Sequence, residues 1–93
     1  MVFVVERYLP GLDRHALLRS LEQLEQAVVQ MRREGTAVRY LGSTIVPDDE
    51  ACFCQFEADS ANDVAEANRR AGVPFDRIVD AVAAPLTVRE EER

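Results

Sequence analysis

Hydrophobic positions in the first third of the chain change from the period of a strand to that of a helix. Residues 2–8, VFVVERY, are rich in β-branched and aromatic side chains and predict a first strand, which a Pro-Gly pair ends. From residue 14 to 34, apolar side chains recur every three or four positions, as on one face of an α-helix. They are Leu17, Leu21, Leu24, Val28 and Met31. Asp13 before this segment and Gly35 after it suit the N-cap and the left-handed C-cap of that helix.

The remaining segments predict three more strands and a second helix. Residues 38–46 and 51–58 are strand-like and flank a polar turn that begins with a proline, so they form a hairpin. Ser60 caps the second helix. The inner face of that helix and its end are formed by Val64, Ala67, Ala71 and Gly72. Residues 76–84 predict the fourth strand.

This order, β-α-β-β-α-β, is that of a ferredoxin-like α+β domain. Right-handed crossovers place both helices on one face of a four-stranded antiparallel sheet, with strands one and three in its centre. A length of 93 residues suits one domain. We assign residues 1–86 to this domain and expect residues 87–93 to form a disordered C-terminal tail.

The strands also predict a second copy of the chain. An antiparallel sheet with helices on one side should alternate apolar and polar residues. Here apolar side chains reach both faces of several strands, for example at Val4 and Val5 and at Phe53 and Cys54. The face away from the helices therefore needs a cover, and we expect a homodimer of the dimeric α+β barrel type, joined through the sheet. A docked tail or an apolar ligand is the alternative cover.

Charge and hydropathy narrow the class of partner. The formal net charge is −6 and the isoelectric point is about 4.7, whereas a nucleic-acid-binding protein needs clustered basic side chains to neutralise phosphates. No apolar run approaches the roughly 20 residues of a membrane span, and the N-terminal segment lacks the pattern of a signal peptide. We therefore predict a cytoplasmic protein that binds neither nucleic acid nor membrane.

The two cysteines and the single histidine are weak candidates for a metal site. Cys52 and Cys54 are two residues apart on a strand, so they share one face but are poorly placed for a mutual disulfide. Their thiolates would suit a soft metal, yet such a site needs about three or four donors. His15 lies apart from them, in the first turn of the long helix. We favour core packing of reduced thiols.

Glu6 is the first unusual polar position. It follows three apolar residues in a central strand, on the face that it shares with Val4, and a carboxylate there needs a basic or hydrogen-bonding partner. Arg39 in the second strand is the favoured partner, ahead of Arg7 and Arg77. Alternatively, Glu6 lies near the strand end and is solvated.

Asn68 is the second unusual polar position, because an amide on the inner side of the second helix must be hydrogen-bonded. A structural bond, to Glu57 or to the turn after the helix, is favoured over a function in ligand binding. If the first three strands and the second helix bring their polar side chains together, a polar ligand-binding pocket forms between the sheet and the helices. It would be lined by Glu6, Arg39, Gln55, Glu57 and Asn68. The sequence has no Ser/His/Asp set or phosphate-binding glycine loop, so catalytic residues stay unassigned.

Three stretches of the chain resemble a known family: VERYLPG at 5–11, VRYLGSTIVPDDEACFCQFEA at 38–58 and AEANRRAGVPFDRIVDA at 65–81. They are similar to small uncharacterised domains described as nickel-responsive or nickel-binding proteins, which have a dimeric ferredoxin-like fold. The resemblance implies nickel as a ligand, bound by histidines along the second helix and at the end of the first strand. This chain has Asn68 and Ala71 in the helix and no histidine near Glu6, so we expect no tight nickel binding.

Three classes of function follow. The first, which we favour, is a small ligand- or metal-responsive binding protein without enzymatic activity. The second is a cofactor-independent enzyme of the dimeric α+β barrel type, such as a small monooxygenase or cyclase, with Glu6 as its base. The third is a structural or interaction module. A cavity of about 300 Å³ or more beside Glu6 would support the first two, and a filled core would support the third.

Overall fold

The computed structural model describes residues 1–84 and contains four strands and two helices in the predicted order. The strands are β1 (Val2–Tyr8), β2 (Val38–Val46), β3 (Ala51–Ala58) and β4 (Arg77–Ala81). The helices are α1 (Arg14–Arg33) and α2 (Ala61–Ala71). The sheet order is β2-β3-β1-β4, and all three neighbouring pairs are antiparallel. The predicted ferredoxin-like fold with strands one and three in the centre is confirmed, whereas the predicted tail at 87–93 lies outside the described residues.

Both helices begin at the predicted caps. A carboxylate oxygen of Asp13 accepts hydrogen bonds from two backbone N–H groups in the first turn of α1, at 3.0 and 3.3 Å. The hydroxyl of Ser60 accepts a hydrogen bond from the backbone N–H of Asp63 at 3.3 Å and caps α2 in the same way. Helix α2 ends at Gly72, whose φ of 69° lies in the left-handed region that glycine adopts without strain. Short-range sequence signals therefore set both helix starts.

The fourth strand is shorter than predicted, Arg77–Ala81 instead of residues 76–84. Just before its start, the backbone N–H of Asp76 donates a hydrogen bond to the carbonyl of Glu6 at 2.8 Å, and a carboxylate oxygen of Asp76 accepts one from the backbone N–H of Tyr8 at 2.6 Å. At its end, Ala81 already pairs with Val2, the first residue of β1. Because β4 is an edge strand whose one neighbour is β1, it stops where that neighbour stops.

The hydrophobic core lies between the sheet and the two helices. All five residues of the predicted apolar stripe on α1 are buried, as are Val64 and Ala67 of α2. The strands meet them with buried side chains that include Phe3, Val5, Val38, Cys52, Cys54 and Phe56. The helix side of the sheet is therefore filled with side chains, and polar groups there must be bonded within the core.

Candidate functional site

The strand register assigns the predicted site residues to two different faces of the sheet. Glu6, Arg39, Gln55 and Glu57 project from the face away from the helices, called the open face below. Asn68 is buried on α2, on the opposite side of the sheet. The single pocket predicted from these five residues therefore does not form: four of them share a surface, and the fifth belongs to a separate cluster.

The predicted partner of Glu6 is also wrong. Arg77 Nε, not Arg39, donates a hydrogen bond to Glu6 Oε1 at 2.9 Å. Arg77 is the residue directly opposite Glu6 in β4, whereas Arg39 lies opposite Glu57 in β3, and their side chains approach to 3.5 Å. The hydrogen bond from Arg77 to Glu6 raises the pKa of Arg77. Two ion pairs thus stand at separate positions on the open face.

The centre of the open face is apolar. Val2 and Val4 of β1, Phe53 of β3 and Val79 of β4 point to this side and are all half-buried within one chain. The ring of Tyr8 meets that of Phe53 edge to face, with a centroid distance of 6.3 Å. The exposed side chain of Gln55 lies beside Val4 in this region. The open face therefore combines an apolar centre with one amide and two flanking ion pairs.

The opposite face carries a cluster that sequence reasoning did not predict, built around Arg7. This arginine is 0% exposed. Its Nη2 donates a hydrogen bond to Asn68 Oδ1 at 2.5 Å, and its Nη1 donates one to the backbone carbonyl of Pro74 at 3.0 Å. Nη2 also lies 3.5 Å from Cys54 Sγ. Arg7 Nε is buried and has no hydrogen-bond partner among residues 1–84.

The alternation of side chains along β1 could have predicted that Arg7 is buried. Phe3, Val5 and Arg7 occupy every second position, and all three face the helices and are buried. The sequence-based prediction places Arg7 only as a possible partner for Glu6, which projects from the other face. The amide of Asn68 is hydrogen-bonded on both sides as expected, because its Nδ2 also donates to the backbone carbonyl of Val64 at 2.7 Å. Its partner is Arg7 and not Glu57.

The two cysteines belong to the same cluster and are free and buried, as predicted. Their sulfur atoms are 3.8 Å apart, and Ser43 Oγ donates a hydrogen bond to Cys54 Sγ at 2.9 Å. Ser43 is in turn hydrogen-bonded to the hydroxyl of Tyr40. A polar chain therefore runs from the buried guanidinium of Arg7 through Cys54 to Ser43 and Tyr40 on the edge strand β2.

The two thiols have unequal proton affinities. The hydrogen bond from Cys52, the positive charge of Arg7 and the hydroxyl of Ser43 together lower the pKa of Cys54 to about 6, although burial opposes the charged form. The hydrogen bond to Cys54 and burial raise the pKa of Cys52. Of the two sulfur atoms, Cys54 Sγ is therefore the one whose thiolate form is favoured, because the guanidinium lies beside it.

The donor set in the described part of the chain does not fit nickel. Within residues 1–84, no three side chains of His, Cys, Asp or Glu come together as a metal site. His15 is exposed on the first turn of α1, whereas both cysteines are buried in the core. A guanidinium 3.5 Å from Cys54 Sγ would also repel a cation there. A nitrogen-rich ligand set, which nickel prefers, is absent from this part of the structure.

These features define the class: a small α+β protein of ferredoxin-like fold, with an apolar and ion-paired open face and a buried thiol–guanidinium cluster. The sequence profile described as "Nickel responsive protein SCO4226-like" matches residues 3–80, and the chain belongs to this family. The predicted family resemblance is thus confirmed.

One solved structure illustrates the shared fold. The crystal structure of SCO4226 from Streptomyces coelicolor A3(2) superposes with a TM-score of 0.68 at 21% sequence identity, covering 91% of this chain and 100% of that one. None of the curated proteins is similar enough to this chain to count as a relative. In the described residues, neither helix has the length and apolar character needed to cross a membrane.

Proposed function

We propose that this chain is a small ligand-responsive binding protein that acts as a cytoplasmic homodimer, without enzymatic activity and without tight nickel binding. The two copies join through their open faces. A small polar ligand is held between the two sheets by Gln55, with Glu6, Glu57 and Arg39 at the ends of the site. This proposal keeps four of the five predicted ligand residues and leaves out Asn68, which lies on the other side of the sheet.

The observation that carries the proposal is the composition of the open face. Val4, Phe53 and Val79 leave apolar surface partly exposed in the middle of the sheet. A soluble protein gains free energy by covering such surface, and a two-fold copy is the common way to do so. The ion pairs Glu6–Arg77 and Arg39–Glu57 would then lie around the apolar contact, as polar groups do at the rim of an interface.

Two further features favour binding over catalysis. The core between the sheet and the helices is filled by side chains, an outcome that we expect of an interaction module and not of an enzyme, so the proposed ligand must bind on the open face. Glu6, the base of the alternative enzymatic hypothesis, is only 13% exposed and is engaged by Arg77 Nε at 2.9 Å. Because Oε1 is already engaged by that hydrogen bond, the carboxylate is poorly placed to act as a free base toward a substrate.

Native mass spectrometry of the chain purified from its host tests both parts of the proposal in one measurement. We expect a dimer of about twice the 10.4 kDa chain mass, carrying additional mass that denaturing conditions release. Gln55→Ala should keep the dimer and lose most of the additional mass. A dimer that never carries additional mass would refute the ligand, and a monomeric wild type at micromolar concentration would refute the assembly.

Matched aspartate substitutions locate the interface. Val4→Asp places a charge in the apolar centre of the open face and should give a monomer or an unfolded chain, because an interfacial charge would be desolvated without a partner. Val29→Asp on the exposed surface of α1 is the control, and it should stay dimeric. If Val4→Asp remains a stable dimer, the interface lies elsewhere.

A further inference from the structure

The buried cluster on the helix side of the sheet has a charge balance that needs an explanation. Arg7 carries a permanent positive charge and is 0% exposed. Its hydrogen-bonded oxygen partners, Asn68 Oδ1 and the carbonyl of Pro74, are neutral. Burying a charge without a counter-charge is strongly unfavourable, so an anion should lie close by. Among the described residues, the group at the required distance is Cys54 Sγ, 3.5 Å from Nη2.

From this geometry we infer that Cys54 is a peroxide-reactive thiolate, stabilised and oriented by Arg7 and Ser43. This site lies on the opposite side of the sheet from the proposed ligand site and is independent of it. The guanidinium and the hydroxyl both donate toward the sulfur, at 3.5 and 2.9 Å. Donors arranged in this way stabilise the attacking thiolate. They can also donate hydrogen bonds to the peroxide oxygen that becomes negatively charged as the O–O bond breaks.

The reaction is a two-electron oxidation of one sulfur atom. The Cys54 thiolate attacks one oxygen of hydrogen peroxide or of a small organic hydroperoxide. An S–O bond forms, the O–O bond breaks, and the departing hydroxide or alkoxide takes one proton from solvent. The sulfur loses two electrons and the peroxide gains them, which leaves a sulfenic acid and one molecule of water or alcohol. Cys52 keeps its proton and hydrogen-bonds to the reacting sulfur.

Access to the sulfur runs through Ser43. A groove of about 360 Å³ between α1 and the edge strand β2 is lined by Leu18, Leu21, Glu22, Glu25, Tyr40, Ser43 and Ile45. Ser43 is half-buried and is the residue in this lining that is hydrogen-bonded to Cys54. A rotation of one small side chain therefore separates the sulfur from the groove. We expect hydrogen peroxide to reach the sulfur past Ser43 more readily than the larger N-ethylmaleimide.

The primary experiment treats the reduced, folded protein with hydrogen peroxide, removes the excess peroxide with catalase, unfolds the protein in dimedone and maps the adduct by peptide mass spectrometry. We expect the adduct on Cys54 in the Cys52→Ser variant and no adduct in the Cys54→Ser variant. In the wild type, oxidation should occur at Cys54, while N-ethylmaleimide should modify it rapidly only after unfolding. A folded wild type that peroxide leaves unchanged, or one that reacts first at Cys52, would overturn the inference.

Substitutions of Arg7 test whether this residue activates the Cys54 thiolate or only packs in the core. Arg7→Met should slow peroxide oxidation several-fold at pH 7, because it removes the positive charge that favours the Cys54 thiolate, while the hydrogen bonds from Cys52 and Ser43 remain. Arg7→Lys keeps the charge and should restore part of the rate. Arg33→Met on the exposed face of α1 is the matched control and should react like the wild type.

The pH profile of the wild type gives a readout that does not depend on whether Arg7→Met folds. The rate of Cys54 oxidation should rise through a midpoint of about 6, well below that of a free thiol. The titratable or charged groups around Cys54 are Arg7, Tyr40 and Cys52 on the strands, and Glu22 and Glu25 of α1 line the groove next to Ser43. Burial raises the pKa of Tyr40, so the tyrosine stays protonated across this range. A midpoint in the free-thiol range would contradict the inference.

Discussion

At the scale of single residues, Arg7 and Asn68 depend on each other. The guanidinium has no exposed surface and needs acceptors inside the core. Asn68 provides one at 2.5 Å through its Oδ1 and is itself held by the helix, because its Nδ2 donates to the carbonyl of Val64. The amide thus joins β1 to α2 through polar contacts in a region that is otherwise packed with apolar side chains.

Asn68→Ala should destabilise the protein by about 1–3 kcal/mol, because it removes an acceptor from a buried charged donor and leaves a small cavity. Asn62→Ala, an exposed position on the same helix, is the matched control and should have little effect. Urea unfolding of both variants measures the difference. Equal losses of free energy would mean that the Arg7–Asn68 bond contributes nothing beyond helix propensity.

The position of Asn68 could be predicted from the sequence, but its partner could not. Helical spacing places it between Val64 and Ala71 on the inner face, and it is buried there. Its partner depends on where β1 crosses α2, which is a contact over 61 positions of sequence. The periodicity of one segment does not show which residues of a distant segment it contacts. For the same reason, the sequence favours Arg39 as the partner of Glu6, whereas the structure pairs Glu6 with Arg77.

At the scale of elements, the ends of the helices are fixed by residues next to them in sequence. The hydroxyl of Ser60 satisfies the N–H of Asp63, one of the orphan donors at the start of α2. Helix α2 has 11 residues, a length that is marginal for an isolated helix. Its capping therefore contributes to stability together with its packing on the sheet.

Ser60→Ala should lower the free energy of unfolding by about 1 kcal/mol, since alanine has no oxygen to accept that hydrogen bond. Ser60→Asp keeps an acceptor at the cap and should be close to the wild type. The midpoint of chemical unfolding, at unchanged slope, reports the effect. If the alanine and aspartate variants behave alike, the Ser60 hydroxyl is not acting as a cap.

Local signals also explain why most element boundaries could be predicted and that of β4 could not. The first three strands lie between turns whose residues are visible in the sequence, and their predicted bounds agree with the structure. The end of β4 depends on its neighbour, because pairing stops at Val2 of β1. Residues 82–84 continue the apolar run, but β1 offers no strand residue beyond Val2 to pair with them.

At the scale of the whole molecule, the sheet separates two polar regions with different chemistry. The open face carries exposed or partly exposed ion pairs that solvent can screen. The helix side holds a cation and a thiol pair with no exposed surface. Because the faces of a strand alternate, Glu6 and Arg7 are neighbours in sequence yet belong to opposite regions. A change at one region should therefore leave the other nearly unaffected.

The distribution of metal-binding side chains over the molecule leads to the last prediction. Nickel requires several converging donors, preferably imidazole nitrogens. The chain has one histidine, which is exposed on α1, and two cysteines that are buried beside Arg7. Isothermal titration calorimetry of the reduced protein with nickel should therefore show no stoichiometric tight binding, and His15→Ala should give the same trace. Tight, stoichiometric binding would contradict this prediction. Its loss in His15→Ala or in Cys54→Ser would then identify that side chain as a nickel ligand. Such binding would also require the open face or the core to rearrange, because no three donors meet within residues 1–84.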